Sequence, residues 1–173
     1  MTEKEPVTEL TAFSTSDAKP VQWSSGRTQL QAAPLYWLST VRPTGSPHVT
    51  PLIGVWWEGA LYIVTGAEER KAKNLASNPR CVLTTGTNSI DQGLDLAVEG
   101  SAEVAGNQSE LDAVADAFET KYGAQFLEPD GTWFGLGGRI RAGEAQVYRV
   151  VPTKVFGWEK GRAFGETRWQ FTT

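Results

Sequence analysis

The stretch between Arg42 and Asn78 constrains the fold of this 173-residue chain more than any other segment. It contains two β-forming runs, residues 48–57 and 60–65, which are joined by a Glu-Gly dipeptide typical of hairpin turns. A third run, residues 35–41, precedes them across a turn rich in proline and glycine. Three short strands with short connections predict an antiparallel meander.

A short basic helix is predicted directly after this meander, over residues 68–77. It carries Arg70, Lys71 and Lys73 near its start. A helix N-terminus favours phosphate through its free N–H groups and partial positive charge, and arginine adds a bidentate donor. The two glutamates that precede Arg70 already complement the helix dipole. The pattern therefore has two interpretations, a phosphate-binding site or a solvated helix face with internal ion pairs.

Pro51 lies in the middle of the second run and cannot donate a hydrogen bond to a sheet ladder. It therefore marks an edge strand, a bulge or a gap that faces a ligand. In the last case the polar groups of Thr50 and Leu52 are free to contact the edge of a ring. Thr65 ends the third run, so its hydroxyl either reaches the same phosphate or belongs to an ordinary β-forming residue.

The composition excludes several kinds of site. Cys81 is the only cysteine and His48 the only histidine, so neither an intrachain disulfide nor a metal site rich in cysteine or histidine can form. A Ser-His-Asp triad would have to use His48, and a lone histidine beside proline is more often structural or exposed than catalytic. A net charge of −4 argues against general nucleic-acid binding, which requires a broad basic surface.

The rest of the chain predicts a mainly β fold, a β-barrel with small helices. Residues 1–25 are predicted to be a flexible N-terminal tail, and residues 26–173 a single barrel domain. The other predicted strands are 80–85, 94–104 and 145–158, the last interrupted at Pro152. Helices are predicted over 27–33 and 110–122, the second capped by Ser109, and a glycine-rich loop over 124–143.

No targeting or membrane-spanning segment is predicted. Residues 1–25 lack the apolar core of a signal peptide, and no apolar run approaches the roughly 20 residues of a membrane helix. The sequence therefore predicts a soluble, cytoplasmic protein without a membrane partner.

Five segments, taken in order, resemble one known family. They are residues 38–51, 61–65, 70–75, 78–80 and 98–103. Their order and spacing resemble the pyridoxamine 5′-phosphate oxidase-like flavin and deazaflavin oxidoreductases, over about residues 35–171. The ending Thr-Arg-Trp-Gln-Phe resembles actinobacterial-type members of this family.

The resemblance implies an FMN-binding split β-barrel that forms a homodimer, with two cofactor sites at the subunit interface. It also implies hydride transfer between bound FMN or coenzyme F-420 and a small organic substrate, with no catalytic side chain, since the cofactor ring carries the chemistry. Both cofactors share a tricyclic ring and a phosphate-bearing arm, so these residues suit either. The implied cofactor-binding residues are His48, Val49, Thr50, Pro51 and Leu52 along the ring, Val64 and Thr65 as a contact pair, Arg70 and Lys71 at the phosphate with Lys73 beside them, and Trp158 and Arg168 from the partner chain.

Trp158 and Arg168 match a family pattern in which an arginine follows a tryptophan by ten positions. Oxidases that form pyridoxal phosphate carry an Arg-x-His substrate motif in this interval. Residues 159–167 contain no histidine, which argues against vitamin B6 oxidation. The alternative function on the same fold is a non-enzymatic carrier of flavin, haem or another tetrapyrrole.

Overall fold

In the computed structural model, which describes residues 5–172, the chain forms nine strands and four α-helices. The strands are β1 (Val7–Leu10), β2 (Tyr36–Val41), β3 (Pro47–Leu52), β4 (Gly54–Trp57), β5 (Ala60–Thr65), β6 (Arg80–Thr85), β7 (Gly93–Val104), β8 (Gln146–Lys160) and β9 (Gly165–Gln170). The helices are α1 (Trp23–Ala32), α2 (Arg70–Ser77), α3 (Gln108–Tyr122) and α4 (Leu136–Arg141), and a 3-10 turn spans Gly123–Phe126.

The strands make one antiparallel sheet in the order β1-β9-β8-β7-β6-β2-β3, and β5 joins β8 to β4 outside this path. The long β8 is the branch point, because its first half pairs with β5 and its second half with β9. A register shift between Glu99 and Gly100 bends the β7–β8 pair there. Gly100 suits this bend, because a Cβ at this position would lie 2.4 Å from the Val151 carbonyl oxygen. The predicted mainly β fold is confirmed, and its open, branched sheet is that of a split barrel.

Two apolar cores lie on either side of the branch. The larger one joins α1 and α2 to the inner face of β2, β6, β7 and β8, with Tyr36, Leu38 and Trp169 fully buried. The smaller one packs α3 and α4 against β4, β5 and the start of β8, around Val114 and Phe118. In β5 the period-two alternation places one set of side chains in each core, whereas in β2 it places one set in the larger core and the other on the outer face.

The N-terminal segment differs from the predicted flexible tail. Val7–Leu10 forms β1, which pairs with β9 in the register Val7↔Gln170. The Val21 backbone N–H donates to the Thr167 hydroxyl at 2.9 Å, and Trp23 at the start of α1 is buried. The segment is ordered because β9 would otherwise expose a row of free backbone groups at the sheet edge. Residues 1–4 of the predicted tail lie outside the described residues.

Three further element boundaries differ from the sequence prediction. The predicted strand over 48–57 is divided at Ile53, because β3 pairs with β2 whereas β4 pairs with β5. The strand predicted to break at Pro152 continues through it as β8, since the bulge accommodates the missing N–H. The predicted loop 124–143 contains the end of the 3-10 turn and α4. None of the helices within residues 5–172 combines the length and the apolar composition that crossing a bilayer requires.

Candidate functional site

β3 is an edge strand, as Pro51 indicated. It pairs with β2 along its whole length, from Val41↔Pro47 to Tyr36↔Leu52, and the sheet order within residues 5–172 ends there. After Leu52 the chain leaves to form β4 with β5. The backbone groups on the outer side of β3 are therefore available to a ligand, which is the edge interpretation of the proline.

α2 begins at Arg70, two residues later than predicted, and Glu69 is its N-cap residue. The Glu69 carboxylate accepts a hydrogen bond from the Gly66 backbone N–H at 2.8 Å and forms an ion pair with Lys71. Lys73 instead pairs with Glu68 at 2.9 Å on the exposed side of the helix. The solvated-face interpretation therefore describes Lys73, whereas Lys71 is 8% exposed and points inward.

His48, at the first end of β3, lies in the electrostatic field of three cations. Partial burial lowers the pKa of His48, and the positive charges of Arg42, Lys71 and Arg70 lower it further. Arg42 comes from the turn between β2 and β3, which is closed by its N–H donating to the Ser46 carbonyl at 2.9 Å. None of the carboxylates among residues 5–172 forms an ion pair with Arg42 or Arg70. The site is therefore electropositive beyond what Glu69 neutralises.

The sequence prediction did not include Arg42, and only its position gave a signal. It follows the last paired residue of β2, opposite Pro47, so the turn brings it to the start of β3. That placement depends on the hairpin register, which becomes visible only in the folded sheet.

Two buried polar side chains, Asn74 and Thr40, link α2 to His48. Asn74 of α2 is fully buried and its Nδ2 donates to the Thr40 hydroxyl at 2.9 Å. The Thr40 Oγ1 lies 3.4 Å from the His48 Nδ1. The Asn74 Oδ1 is buried without a hydrogen-bond partner among the described residues. The sequence prediction missed both residues, although Asn74 shares a helix face with Arg70 and Lys71 at three- and four-residue spacing.

The remaining predicted residues of β3 and β5 divide between two faces. His48 and Thr50 pair with Thr40 and Leu38, so they lie on the inner face of the sheet, whereas Val49 opposite Ser39 lies on the outer face and is 54% exposed. Pro51 is exposed and Leu52 is buried. Val64 is half-buried next to Thr65, which is buried and donates its hydroxyl to the Gly66 carbonyl at 3.2 Å.

Trp158 and Arg168 lie elsewhere in the same chain. Their strands pair in the register Phe156↔Arg168 and Trp158↔Glu166, which makes Trp158 and Arg168 diagonal neighbours on one face. The Trp158 Nε1 donates to Glu166 at 2.8 Å, and Arg168 pairs with Glu9. β8 and β9 are four and five strand steps from β3 in the sheet order, so neither Trp158 nor Arg168 lies on a strand next to His48.

The outer face of the sheet carries apolar side chains that the chain itself leaves uncovered. Trp37 is 48% exposed and Val41 37%, and Trp37 and Trp158 line the same shallow pocket of about 350 Å³. A larger groove of about 760 Å³ runs over β2, β6 and β7 between Val41 and Thr153. This face therefore offers exposed apolar side chains and a groove to another molecule.

The residues at the start of β3 fit a phosphate-bearing ring cofactor. Arg42, Arg70 and Lys71 supply cationic donors for a phosphate, and the free edge of β3 offers backbone groups to a planar ring.

The fold has counterparts among known proteins. The model of the family described as pyridoxamine 5′-phosphate oxidase matches residues 25–159, which include β3, α2 and Trp158 but not Arg168. A search of curated proteins found no match.

Solved structures share the fold at low sequence identity. A conserved hypothetical protein from Mycobacterium tuberculosis is 19% identical, with a TM-score of 0.67 over 80% of this chain and 85% of that one. A heme binding protein from Mycobacterium smegmatis is 18% identical, with a TM-score of 0.65 over 86% of this chain and 58% of that one. An FAD-binding protein from Mesorhizobium loti is 14% identical, with a TM-score of 0.59 over 95% of this chain and 99% of that one.

Proposed function

The chain belongs to the pyridoxamine 5′-phosphate oxidase family, and on that premise we propose that it is an oxidoreductase that binds FMN or coenzyme F-420. Its substrate would be a small organic molecule that gives or receives a hydride. The observation that carries the proposal is that the basic start of α2, joined to β2 by the Asn74–Thr40 hydrogen bond, lies at the His48 end of the open edge of β3. The FAD-binding protein from Mesorhizobium loti, which shares the fold, supports a flavin.

The side chains of this site bind and orient. Arg70 and Arg42, which lack carboxylate partners in residues 5–172, are the first donors for a phosphate, and Lys71 adds a charge near its pair with Glu69. The backbone of β3 from His48 to Leu52 positions the ring edge. The bound cofactor supplies the hydride chemistry, so no side chain is required as an acid or base.

We propose further that the complete site forms between two copies of the chain. Trp158 and Arg168 lie on β8 and β9, which are four and five strand steps from β3 in the sheet order of one chain. The exposed outer face with Trp37 and Val41 is suited to a symmetric contact that would bring these residues to the partner's β3. The proposed assembly is a homodimer with two equivalent sites.

The substrate is proposed to differ from pyridoxamine 5′-phosphate. The interval between Trp158 and Arg168 contains no histidine. It forms the end of β8, a short turn and the start of β9, and its Glu166 is bonded to the Trp158 indole. A tight strand pair occupies the positions where a pyridoxal-phosphate-forming oxidase carries its substrate motif.

The absorption spectrum of the purified protein, followed by parallel titration with FMN and coenzyme F-420, tests the proposal. A flavin spectrum or tight binding of either cofactor is expected, and oxidation of the reduced, bound cofactor by a quinone, an enone or another small hydride acceptor completes the assignment. Binding of neither cofactor would overturn it. A haem spectrum with no flavin binding would favour the alternative carrier function, which the heme binding protein from Mycobacterium smegmatis exemplifies on this fold.

A mixed dimer tests whether the site is shared. Arg70→Ala with Lys71→Ala in one chain and Arg168→Ala in the other would, in a shared site, leave one complete site per mixed dimer. If each chain built its own site, no complete site would remain. Recovery of about half of the wild-type binding stoichiometry is expected, with both variant homodimers as controls, and no recovery would overturn the shared site.

A further inference from the structure

We infer that Asn74 and Thr40 form a polar relay that fixes His48 as the neutral tautomer with its proton on Nε2, so that the ring donates a hydrogen bond toward the ligand. The identity of that ligand, a phosphate-bearing cofactor, rests on the proposed function. The tautomer itself rests on the geometry of three side chains. Asn74 and Thr40 are positioning residues in this scheme, because they act through His48.

The relay begins at Asn74, which is fully buried between α2 and β2. Its Nδ2 donates to the Thr40 hydroxyl at 2.9 Å, and an amide nitrogen can only donate. Thr40 is 2% exposed, so solvent does not compete for its hydroxyl. The Thr40 oxygen is therefore an acceptor toward Asn74, and its own proton is free to be donated to another group.

Two acceptors lie within reach of that proton. The His48 Nδ1 lies 3.4 Å from the Thr40 Oγ1, and the His48 carbonyl oxygen lies 3.5 Å away. Donation to Nδ1 requires that this nitrogen carries no proton, so the proton of the neutral ring is on Nε2. Since Nδ1 faces the buried Thr40, Nε2 on the far side of the ring faces away from it.

The surrounding charges keep the ring neutral. Arg42, Arg70 and Lys71 all disfavour an imidazolium at His48, and Glu69 is the carboxylate that partly offsets them through Lys71. A neutral ring with a fixed Nε2 proton adds a directional donor to a group of cations whose attraction is less directional. The relay would thus contribute orientation of the phosphate arm in addition to charge.

Nitrogen NMR of protein labelled in histidine tests the relay, and the signals are unambiguous because His48 is the only histidine. At a pH of about 8.5, well above the ordinary imidazole pKa, the wild-type ring should show a protonated Nε2 and an unprotonated Nδ1. Asn74→Asp reverses the polarity, because a carboxylate accepts the Thr40 proton and the Thr40 oxygen then accepts from Nδ1–H. The two nitrogen shifts should exchange.

Thr40 provides the matched variants. Thr40→Val is nearly isosteric and removes the link, so the wild-type shifts should move toward a mixture of tautomers even if Asn74→Asp fails to fold. The reversal should be lost when Thr40→Val is added to Asn74→Asp, and Thr40→Ser should keep the wild-type shifts. A protonated Nδ1 in the wild type, or shifts that Thr40→Val and Asn74→Asp leave unchanged, would overturn the relay.

Ligand binding gives a second readout. Thr40→Val should weaken FMN and inorganic phosphate binding roughly five- to tenfold, as expected for one lost or misdirected hydrogen bond, and Thr40→Ser should restore it. Equal affinity in Thr40→Val and the wild type would show that the relay does not contribute to ligand binding. The NMR is done without cofactor, so a wild-type protein that binds neither FMN nor coenzyme F-420 would end the proposed function and leave the tautomer result standing.

Discussion

Two basic regions of the molecule employ their arginines in opposite ways. At the junction of α3 and α4, Arg141 contacts Glu119 at 2.8 Å and also pairs with Asp116, and these carboxylates raise its pKa. At the start of α2, Arg70 and Arg42 lack such partners within residues 5–172 and depress the pKa of His48. The first region satisfies its cation internally, and the second leaves positive charge uncompensated.

The difference separates a structural arginine from a binding one. Arg141 links α4 to α3, so its charge contributes to packing and is not available to a ligand. Cations placed together without counter-charges repel one another, and an incoming anion relieves that repulsion. The uncompensated cluster at α2 is therefore the one expected to bind phosphate.

The largest expected effect comes from removing two cations at the start of α2. Arg70→Ala combined with Lys71→Ala should lower the affinity for FMN or coenzyme F-420 by roughly 100-fold or more, because two charge-assisted contacts are lost. Lys73→Ala is the matched control, since Lys73 pairs with Glu68 on the exposed side of the same helix. Fluorescence titration measures all three proteins, and equal losses in the control and the double variant would contradict the assignment.

A substitution at the junction of α3 and α4 tests the structural arginine of the comparison. Arg141→Ala should lower the free energy of unfolding by about 1 kcal/mol, as expected for a partly exposed ion-pair network, and should leave cofactor affinity unchanged. Arg139→Ala is the control on the same helix, because Arg139 is exposed and, within residues 5–172, its side chain donates one hydrogen bond, to the Phe134 carbonyl at 3.4 Å. Denaturant unfolding gives the stability, and a loss of cofactor binding in Arg141→Ala would make Arg141 a binding residue.

Lys121 is a third kind of cation, held in the interior by neutral groups. Its Nζ donates to the Gly54 carbonyl at 2.8 Å and to the Tyr36 hydroxyl at 3.2 Å, and burial lowers its pKa to about 8. Between this value and the ordinary 10.5 the unfolded chain binds more protons than the folded one, so stability should rise with pH from about 8 upward.

Ionisation of tyrosines in the unfolded chain opposes this trend above pH ~10, because burial raises the pKa of Tyr36 in the folded chain. Lys121→Met should flatten the rise between pH ~8 and ~10 in denaturant unfolding. A slope that persists in this variant would assign the pH dependence to another group.

The smallest expected effect is a change in the pKa of His48. Its pKa is depressed in the free protein, so a bound phosphate should raise it toward or above the ordinary value. In the free protein the same depression means that stability falls as the pH drops through the ordinary and then the folded-state pKa, since the unfolded chain takes up the proton first. Proton NMR of the single imidazole follows both states.

Arg70→Ala provides the control for this titration. It should raise the pKa of His48 without ligand, because one of the three neighbouring positive charges is removed. Arg141→Ala should leave that pKa unchanged. A His48 pKa that is insensitive to both ligand and Arg70→Ala would show that the cluster does not act on this residue.

Local sequence patterns predicted much of the fold. Residues 60–65 and 80–85 form strands with the predicted bounds, because uninterrupted β-forming runs end at clear turn signals. Pro51 predicted an edge strand, a bulge or a gap that faces a ligand, of which the edge strand is observed, and Arg70, Lys71 and Lys73 lie on the predicted basic helix. These signals act over a few residues, so they can be recognised without knowledge of the rest of the chain.

The partners of these segments were not predictable in the same way. β1 pairs with β9 across almost the whole chain, and nothing in the polar composition of residues 1–25 indicates that edge. Thr40 and Asn74 are 34 positions apart, and they meet only because α2 packs on the inner face of β2. For residues 1–25 the composition predicted a flexible tail, whereas the pairing of β1 with β9 makes part of this segment an edge of the sheet.

The sequence by itself determined the strand-turn-strand-helix order, the lone His48, and the pair Arg70 and Lys71 that follows β5. The tertiary structure alone decided which cations are uncompensated, since ion pairing depends on distances between residues remote in sequence. It placed Arg42 beside His48 through the hairpin register and placed Trp158 and Arg168 four or five strands from β3. Short-range periodicity fixes local elements, but only the assembled sheet fixes which charges face one another.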